Sequence, residues 1–148
     1  MAHETNDGGF TLSDDPARFD LDRAHDWIGR QSYWRQGIPR AMFEKACAGS
    51  VVIGAYAADG SMAAMARVVT DRVTFGWLDD VFVDEVRRGK GLGKKLMAYV
   101  RSHPDLQTLH RLHLATRDAH GLYAQYGFVP LTKPESWMEI RDRDAYRR

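Results

Sequence analysis

Hydrophobic and polar residues form two kinds of pattern along this chain of 148 residues. Apolar runs bounded by polar turns predict strands, whereas apolar residues three or four positions apart predict amphipathic helices. The resulting element order, β-α-α-β-β-β-α-β-α-β-β, is typical of a mixed α/β domain. Seven strands are expected, at residues 9–12, 51–58, 61–70, 73–78 (resumed at 81–83), 109–115, 128–130 and 136–140.

Four helices are expected between these strands. The first begins near Leu21, the second opens at Pro39, the third follows a glycine-rich loop, and the fourth is capped by Asp118. The dipeptide Asp59-Gly60 predicts the tight turn of a hairpin. Because the third helix connects two strands, we expect the strands on either side of it to pair in parallel.

The length indicates one domain that covers residues 1–148, with loose ends at residues 1–8 and 142–148. The single cysteine, Cys47, excludes an internal disulfide, and its position on an apolar helix stripe predicts a core residue. No apolar run is long enough to span a membrane, and no signal peptide is recognisable. We therefore expect a cytoplasmic protein that does not bind membranes.

The net charge of +1 argues against a general nucleic-acid binder, because binding to a phosphate backbone needs a surplus of basic residues on one face.

The six histidines do not indicate a metal site. His110 and His113 are three positions apart on a predicted strand and so point to opposite faces. Neither has a cysteine or carboxylate at ligand spacing. The sequence is compatible with a homodimer but does not decide the oligomeric state.

A basic, glycine-rich loop follows the predicted strand Val81–Val83 and leads into the third helix. Glycines without a Cβ let the backbone approach a ligand closely, and the free N–H groups at a helix start favour an anion. The loop therefore predicts a phosphate site, or else a basic helix start without a ligand. It matches neither the Walker nor the Rossmann spacing. Its glycines and basic residues are Arg87, Arg88, Gly89, Lys90, Gly91, Gly93, Lys94 and Lys95.

The run Arg88-Gly89-Lys90-Gly91-Leu92-Gly93 resembles the Arg/Gln-x-x-Gly-x-Gly/Ala loop of the GNAT N-acetyltransferases. A second run, from Tyr123 to Phe128, resembles the Tyr-x-x-x-Gly-Phe segment of the same family. The resemblance covers residues 51–140. It implies a GNAT-like acyl-CoA N-acyltransferase fold: a mixed, mostly antiparallel sheet with a splayed parallel strand pair, flanked by about four helices.

The resemblance also implies acetyl-CoA as the acetyl donor, without a metal. Tyr123 matches the tyrosine that lies beside the sulfur of acetyl-CoA and acts as general acid. Asp118 lies in a region where many members carry an asparagine that contacts the cofactor, a departure from the family pattern. The residues implied to contact acetyl-CoA are Val81, Phe82, Val83, Arg88, Gly89, Lys90, Gly91, Leu92, Gly93, Lys94, Asp118 and Tyr123.

Two carboxylates, Asp79 and Asp80, interrupt a stretch that is otherwise apolar enough for a central strand. Burying an unpaired carboxylate is costly. These groups either attract a cationic amine and take its proton as catalytic residues, or lie in a solvated turn between two short strands. The sequence favours neither interpretation.

Aromatic residues supply the candidate acceptor pocket. The loop residues Tyr33 and Trp34, together with Trp77, could form its wall, although the loop aromatics could equally anchor their loop to the core. His120 and Glu139 are weaker candidates. Carboxylates beside aromatic rings suit a compact cation, so a small primary amine or a peptide amine is the expected acceptor.

Three functions remain at this point. The leading one is N-acetyl transfer from acetyl-CoA to an amine. The second is an acyl-CoA-binding module without acceptor chemistry, and the third is a regulator that binds another phosphate ligand or a nucleotide at the same loop.

Overall fold

The computed structural model describes residues 1–147 and contains one six-stranded mixed sheet flanked by helices. The strands are β1 (Glu4–Asp7), β2 (Phe10–Ser13), β3 (Val51–Tyr56), β4 (Met62–Thr70), β5 (Phe75–Val83) and β6 (Arg111–His113). They lie side by side in chain order. Neighbours from β1 to β5 are antiparallel, and β5 and β6 are parallel. This arrangement confirms the predicted fold class.

Four α-helices flank the sheet: α1 (Leu21–Asp26), α2 (Arg40–Ala48), α3 (Leu92–Ser102) and α4 (His120–Ala124). A π-helical segment, Trp27–Gln31, continues α1. Short 3₁₀ turns lie at Glu85–Arg87, Pro104–Leu106, Pro134–Ser136 and Ala145–Arg147. None of the helices within residues 1–147 is long and apolar enough to cross a membrane.

The two faces of the sheet bury separate hydrophobic clusters. On one face, residues such as Leu78 pack with Leu96 of α3 and Tyr123 of α4. On the other, residues such as Phe82 pack with Trp27 and with Phe43 of α2. Cys47 is buried in this second cluster, as predicted. Strand β5 lies between the two clusters and separates the α3 side from the α1–α2 side.

The N-terminal residues 1–8 are not a loose end as expected, because Glu4–Asp7 form β1. Gly8 and Gly9, both with positive φ, make a two-residue turn to β2. Lys95 Nζ of α3 donates to Asp7 at 2.9 Å, and the Tyr99 hydroxyl donates to the His3 carbonyl at 2.6 Å. These long-range contacts stabilise β1 as a strand, although the polar composition of this segment does not predict one.

The two predicted C-terminal strands, residues 128–130 and 136–140, do not form. Residues 129–144 are all exposed, and within them only Pro134–Ser136 make a short 3₁₀ turn. Pro130 and Pro134 have no N–H to donate to a strand ladder. As a result β6 is the last strand at its side of the sheet.

Candidate active site

Strand β5 runs unbroken through the two carboxylates, so the predicted division into two short strands with a turn is wrong. The pairing with β4 shifts by one residue at this point, where Arg67 lies opposite Asp79 and Met65 opposite Phe82. Asp80 takes up the extra residue with a φ of 51°. In a regular strand, neighbouring side chains point to opposite faces, but this bulge turns both carboxylates towards the α1–α2 side.

Two arginines bind the carboxylate pair. Arg67 of β4 donates from Nε to Asp80 at 2.8 Å and reaches Asp79 at 3.4 Å. Arg35 donates from Nε to Asp80 at 3.1 Å and also pairs with Asp79. The Trp34 indole donates to Asp80 at 2.7 Å. The interpretation of these acids as a solvated turn is therefore wrong, since their side chains are only 9% and 0% exposed.

Burial and the repulsion of Asp79 raise the pKa of Asp80 above its usual value of 3.8, although Arg67, Arg35 and Trp34 oppose that rise. The pKa of Arg35 is also raised, because the two carboxylates favour its charged form despite its burial. Asp79 is the more accessible of the two acids. A proton acceptor at this position is therefore better supplied by Asp79, with Asp80 as its buried neighbour.

Sequence reasoning missed the partners Arg35, Arg67 and Tyr146. Tyr146 lies near the C-terminus, where a loose end was expected, and its hydroxyl accepts from Arg35 at 2.6 Å. The sequence did contain a signal for Arg67, which is the single charged residue in the apolar run of β4. A buried arginine requires a carboxylate partner, and the nearest acidic pair along the chain is Asp79-Asp80.

A pocket of about 500 Å³ lies where β5 and β6 diverge. The two strands pair only as far as Trp77 and His113, and beyond that point each continues without the other. The β5 wall presents Asp79 and the bulge, and the opposite wall comes from residues 114–119. The predicted site residues that the structure brings together here are Tyr33, Trp34, Trp77, Asp79, Asp80, Val81, Asp118 and Tyr123.

Tyr123 of α4 lines this pocket and is largely buried. Burial raises the pKa of its hydroxyl to about 12, with smaller contributions from Tyr33 and Asp118. Its ring packs against Phe128, with 5.9 Å between the centroids, yet within residues 1–147 its hydroxyl makes no hydrogen bond. The hydroxyl is thus a free, protonated donor. Tyr126 instead lines a separate groove behind β6.

The two aromatic loop residues have different roles. Trp34 is anchored through its indole N–H to Asp80. Tyr33 is half exposed, and its hydroxyl accepts from the Arg117 backbone N–H at 3.0 Å, while the Arg117 guanidinium lies 3.8 Å above its ring. The Tyr33–Arg117 contacts join the two walls of the pocket.

The glycine-rich loop ends at the start of α3. Gly91 occupies the N-cap position with a φ of 79°, and Gly89 has a φ of 82°. A Cβ at either position would meet no atom within 4 Å, so both glycines border open space. The first helical hydrogen bond runs from Lys95 N–H to the Gly91 carbonyl, which leaves the preceding amides free for a ligand. These features fit the pyrophosphate of acetyl-CoA.

The basic residues around the loop are not equivalent. Lys90 and Lys94 are exposed, whereas Lys95 is turned away to Asp7 of β1. Arg88 donates to the Val83 carbonyl at 3.1 Å, and its guanidinium lies 5.2 Å from the Phe82 ring centre. Gly93 differs from these two glycines, because a Cβ there would lie 3.3 Å from the Leu122 side chain of α4, a tight contact.

Three predicted residues occupy positions other than those expected. His120 borders an adjoining pocket of about 430 Å³ that shares Tyr123. Glu139 lies in the exposed segment 129–144 and lines neither of these two pockets. Asp118 does not cap α4, because Ala119 occupies the N-cap position and no side chain makes a capping hydrogen bond there. Among residues 1–147, no cluster of three or more histidine, cysteine or acidic residues could hold a metal ion.

Comparisons with known proteins agree with this geometry. The family model described as an acetyltransferase (GNAT) domain matches residues 48–130, more than half of the chain. A solved structure assigned to the GNAT family, from Xanthomonas campestris pv. campestris, is 42% identical. It covers 93% of this chain and 96% of its own, with a TM-score of 0.89. Comparison with curated proteins found no match.

Two more distant structures share the fold. Glucosamine-6-phosphate N-acetyltransferase from Arabidopsis thaliana is 17% identical, with a TM-score of 0.61 over 90% of this chain and 97% of its own. A structure described as a predicted acetyltransferase from Clostridium acetobutylicum, determined with acetyl-CoA, is 17% identical, with a TM-score of 0.53 over 69% of this chain and 71% of its own. On the family match and the Xanthomonas relative, the chain belongs to the GNAT family of acetyltransferases.

Proposed function

We propose that this protein is an acetyl-CoA-dependent N-acetyltransferase that acetylates a small primary amine or a peptide amine. The observation that carries the proposal is the pocket at the divergence of β5 and β6. Both Tyr123, whose hydroxyl makes no hydrogen bond within residues 1–147, and the carboxylate residue Asp79 line it. One is a proton donor and the other a proton acceptor, which direct transfer to an amine requires.

The donor would be held at the start of α3. Acetyl-CoA supplies a thioester when bound, and its pyrophosphate suits the free amides that follow Gly91 together with the exposed Lys90 and Lys94. The bulge makes the backbone of β5 irregular next to Val81, which lines the pocket. An amide at such a bulge is a candidate hydrogen-bond donor to a developing oxyanion.

Tyr123 would protonate the leaving thiolate. Its pKa of about 12 keeps the hydroxyl protonated at neutral pH, and without a hydrogen-bond partner among residues 1–147 it is free to donate. Asp79 would accept the proton of the amine, directly or through water, since it is the accessible carboxylate of the pair. Asp80 would hold Asp79 and the Trp34 loop in place through Arg35 and Arg67.

The acceptor preference now has a different basis from the one that the sequence suggested. Arg35 and Arg67 offset the charges of Asp79 and Asp80, so a net negative pocket does not explain a preference for cations. The rings of Tyr33 and Trp77 remain on the wall. They suit the carbon chain of a small amine or the backbone of a peptide.

The test is incubation with acetyl-CoA and a panel of amines, with free CoA thiol and acetylated product both measured. We expect stoichiometric thiol and N-acetyl product with at least one amine. Calorimetric binding of CoA without product across the panel would favour the acyl-CoA-binding module. Binding of ATP but not of CoA would favour the phosphate-ligand regulator and contradict the proposal.

A further inference from the structure

The last residues of the described chain return to the candidate active site. Residues 129–144 are all exposed, whereas Ala145 and Tyr146 are partly buried. Both belong to the final 3₁₀ turn, and Tyr146 packs against the second hydrophobic cluster, on the α1–α2 side of the sheet. Its hydroxyl accepts from Arg35 Nη1 at 2.6 Å. After an exposed stretch, the chain thus packs again beside an arginine that contacts both acids of the site.

The guanidinium of Arg35 has an acceptor for each of its three nitrogens. Nε donates to Asp80 at 3.1 Å, Nη2 pairs with Asp79, and Nη1 donates to Tyr146. The donors of a guanidinium are fixed relative to one another in one plane, so all of its acceptors orient it together. The Tyr146 hydroxyl therefore fixes the nitrogen that neither carboxylate binds.

The two arginines that bind the acids are held in different ways. Arg67 lies within strand β4, its side chain is 5% exposed, and it donates to the Ser50 hydroxyl at 3.0 Å. Arg35 lies in the loop between the π-helical segment and α2, and its side chain is 26% exposed. A long side chain on a loop has more conformational freedom to lose than one confined within a sheet. Arg35 therefore depends more than Arg67 on an anchor outside the acids, and Tyr146 is that anchor.

We propose that Tyr146 is a positioning residue of the acceptor site, which holds Arg35 against Asp79 and so keeps Asp79 ready to accept a proton. This inference rests on the proposed function, in which Asp79 takes the proton of the amine as the new C–N bond forms. Tyr146 does not line the pocket between β5 and β6, so it acts through Arg35 and not on the substrate. The final turn of the chain is then part of the structure that supports catalysis.

The charges around the acid pair give the inference a consequence for pH dependence. The charged groups that contact the pair or face it across the pocket are Arg35, Arg67, Arg117 and Asp118. Burial raises the pKa of the nearby Cys47 thiol to about 11 and that of Tyr123 to about 12, so both are uncharged near neutral pH. A looser Arg35 stabilises the charged acids less, and an acid that already carries a proton cannot accept one. Loss of the Tyr146 hydroxyl should therefore lower activity most at acidic pH.

Tyr146→Phe tests the inference, because it removes the hydroxyl and keeps the ring that packs on the core. The measurement is kcat/KM for an acetylated amine as a function of pH, at saturating acetyl-CoA. We expect the acidic limb of the profile to move to higher pH. On that limb kcat/KM should fall by about threefold to tenfold, and on the plateau by less than about twofold. The affinity for CoA should not change, since the start of α3 is untouched.

Tyr99→Phe is the matched control. The Tyr99 hydroxyl donates to the His3 carbonyl at 2.6 Å, so it ties the other terminal segment to the fold through an equally short hydrogen bond. Tyr99 packs in the first hydrophobic cluster, on the opposite side of the sheet from Tyr146, and its loss should not move the pH profile. If Tyr146→Phe folds and keeps the wild-type profile, the inference is wrong. It is equally wrong if both variants lose the same fraction of activity at every pH.

An NMR measurement without substrate separates a failure of this inference from a failure of the proposed function. Exchange of the Arg35 Nε–H with water reports how firmly the guanidinium is held. We expect exchange at least about tenfold faster in Tyr146→Phe and unchanged in Tyr99→Phe. Unchanged exchange in Tyr146→Phe overturns the inference even if the enzyme is active. Faster exchange in a protein that acetylates no amine would contradict the proposed function, and with it the catalytic role given to Tyr146.

Discussion

Arg67 of β4 and Asp80 of β5 form an ion pair inside the sheet, with 2.8 Å between Nε and Oδ2. Their side chains are 5% and 0% exposed. Arg67 also donates to the Ser50 hydroxyl at 3.0 Å, so it ties β5 to the segment between α2 and β3. The bulge at Asp80 is what brings its carboxylate to Arg67, and the pair in turn stabilises the bulge that shapes the pocket.

Arg67→Met should therefore lower the free energy of unfolding by about 3 kcal/mol, because it leaves a buried carboxylate short of a partner. The matched control is Arg40→Met, which removes an arginine from an exposed pair with Asp22 and should change the stability little. Urea unfolding followed by circular dichroism measures both. Equal effects of the two substitutions would show that the buried pair does not stabilise the fold.

The ionisation of Asp80 should depend on Arg35. Burial and Asp79 raise the pKa of Asp80, and the positive charge of Arg35 opposes that rise. Removing this charge with Arg35→Met should raise the pKa of Asp80 further. Titration of the side-chain carboxyl carbons by NMR measures it without any assay of activity.

Arg117→Met is the control for the Arg35 experiment. Arg117 lines the same pocket, but its guanidinium lies over the Tyr33 ring instead of on the acids. Its removal should leave the pKa of Asp80 where it is. An Asp80 that titrates identically in wild type and Arg35→Met would remove Arg35 from the account of the carboxylate pair.

Local sequence signals predicted the elements whose determinants lie close together in the chain. The turn at Asp59-Gly60, the buried face of α3 and the glycine-rich loop all belong to this group. The bulge at Asp80 could not be predicted, since it depends on Arg35 and Arg67 from distant segments. The strand β1 could not be predicted either, because it is polar and is stabilised by pairing with β2 and by a hydrogen bond from α3.

The Tyr-x-x-x-Gly-Phe resemblance pointed to Tyr123, and Tyr123 lines the pocket in the structure. The predicted final strands failed for a different reason. Strand patterning at residues 136–140 predicts a strand only on the assumption that a neighbouring strand pairs with the segment, and within residues 1–147 none does. Glu139 was assigned to the acceptor site on that assumption and lies elsewhere.

Gly91→Glu should weaken CoA binding by about a hundredfold or more, because it puts a negative charge in the space beside the free amides of α3. The substitution also strains the backbone, since Gly91 has a φ of 79°. Gly60→Glu controls for the strain alone, because Gly60 has a φ of 87° and equally open surroundings in the β3–β4 turn. Calorimetry with CoA should show loss only in Gly91→Glu; equal affinities would place the phosphate site elsewhere.

Cys47 should not react in a thiol assay of the native protein. Burial raises the pKa of its thiol from 9.0 to about 11, so the thiolate population near pH 8 is about a hundredfold lower than for a free cysteine. A disulfide reagent should therefore modify Cys47 only after denaturation. Rapid modification in the native state would mean that the α2 side of the core opens readily, and it would also complicate the measurement of released CoA.

We propose that Tyr123 protonates the leaving thiolate in the pocket between β5 and β6. The most direct test compares the turnover of Tyr123→Phe and Tyr126→Phe with acetyl-CoA and an amine that the wild type acetylates, with CoA affinity measured alongside. Tyr123→Phe should lower kcat by about a hundredfold with CoA affinity nearly intact, because only the hydroxyl is lost. Tyr126, which lines the groove behind β6, should tolerate the same change. If both variants turn over at the same rate, Tyr123 is not the acid and the account of this site is wrong.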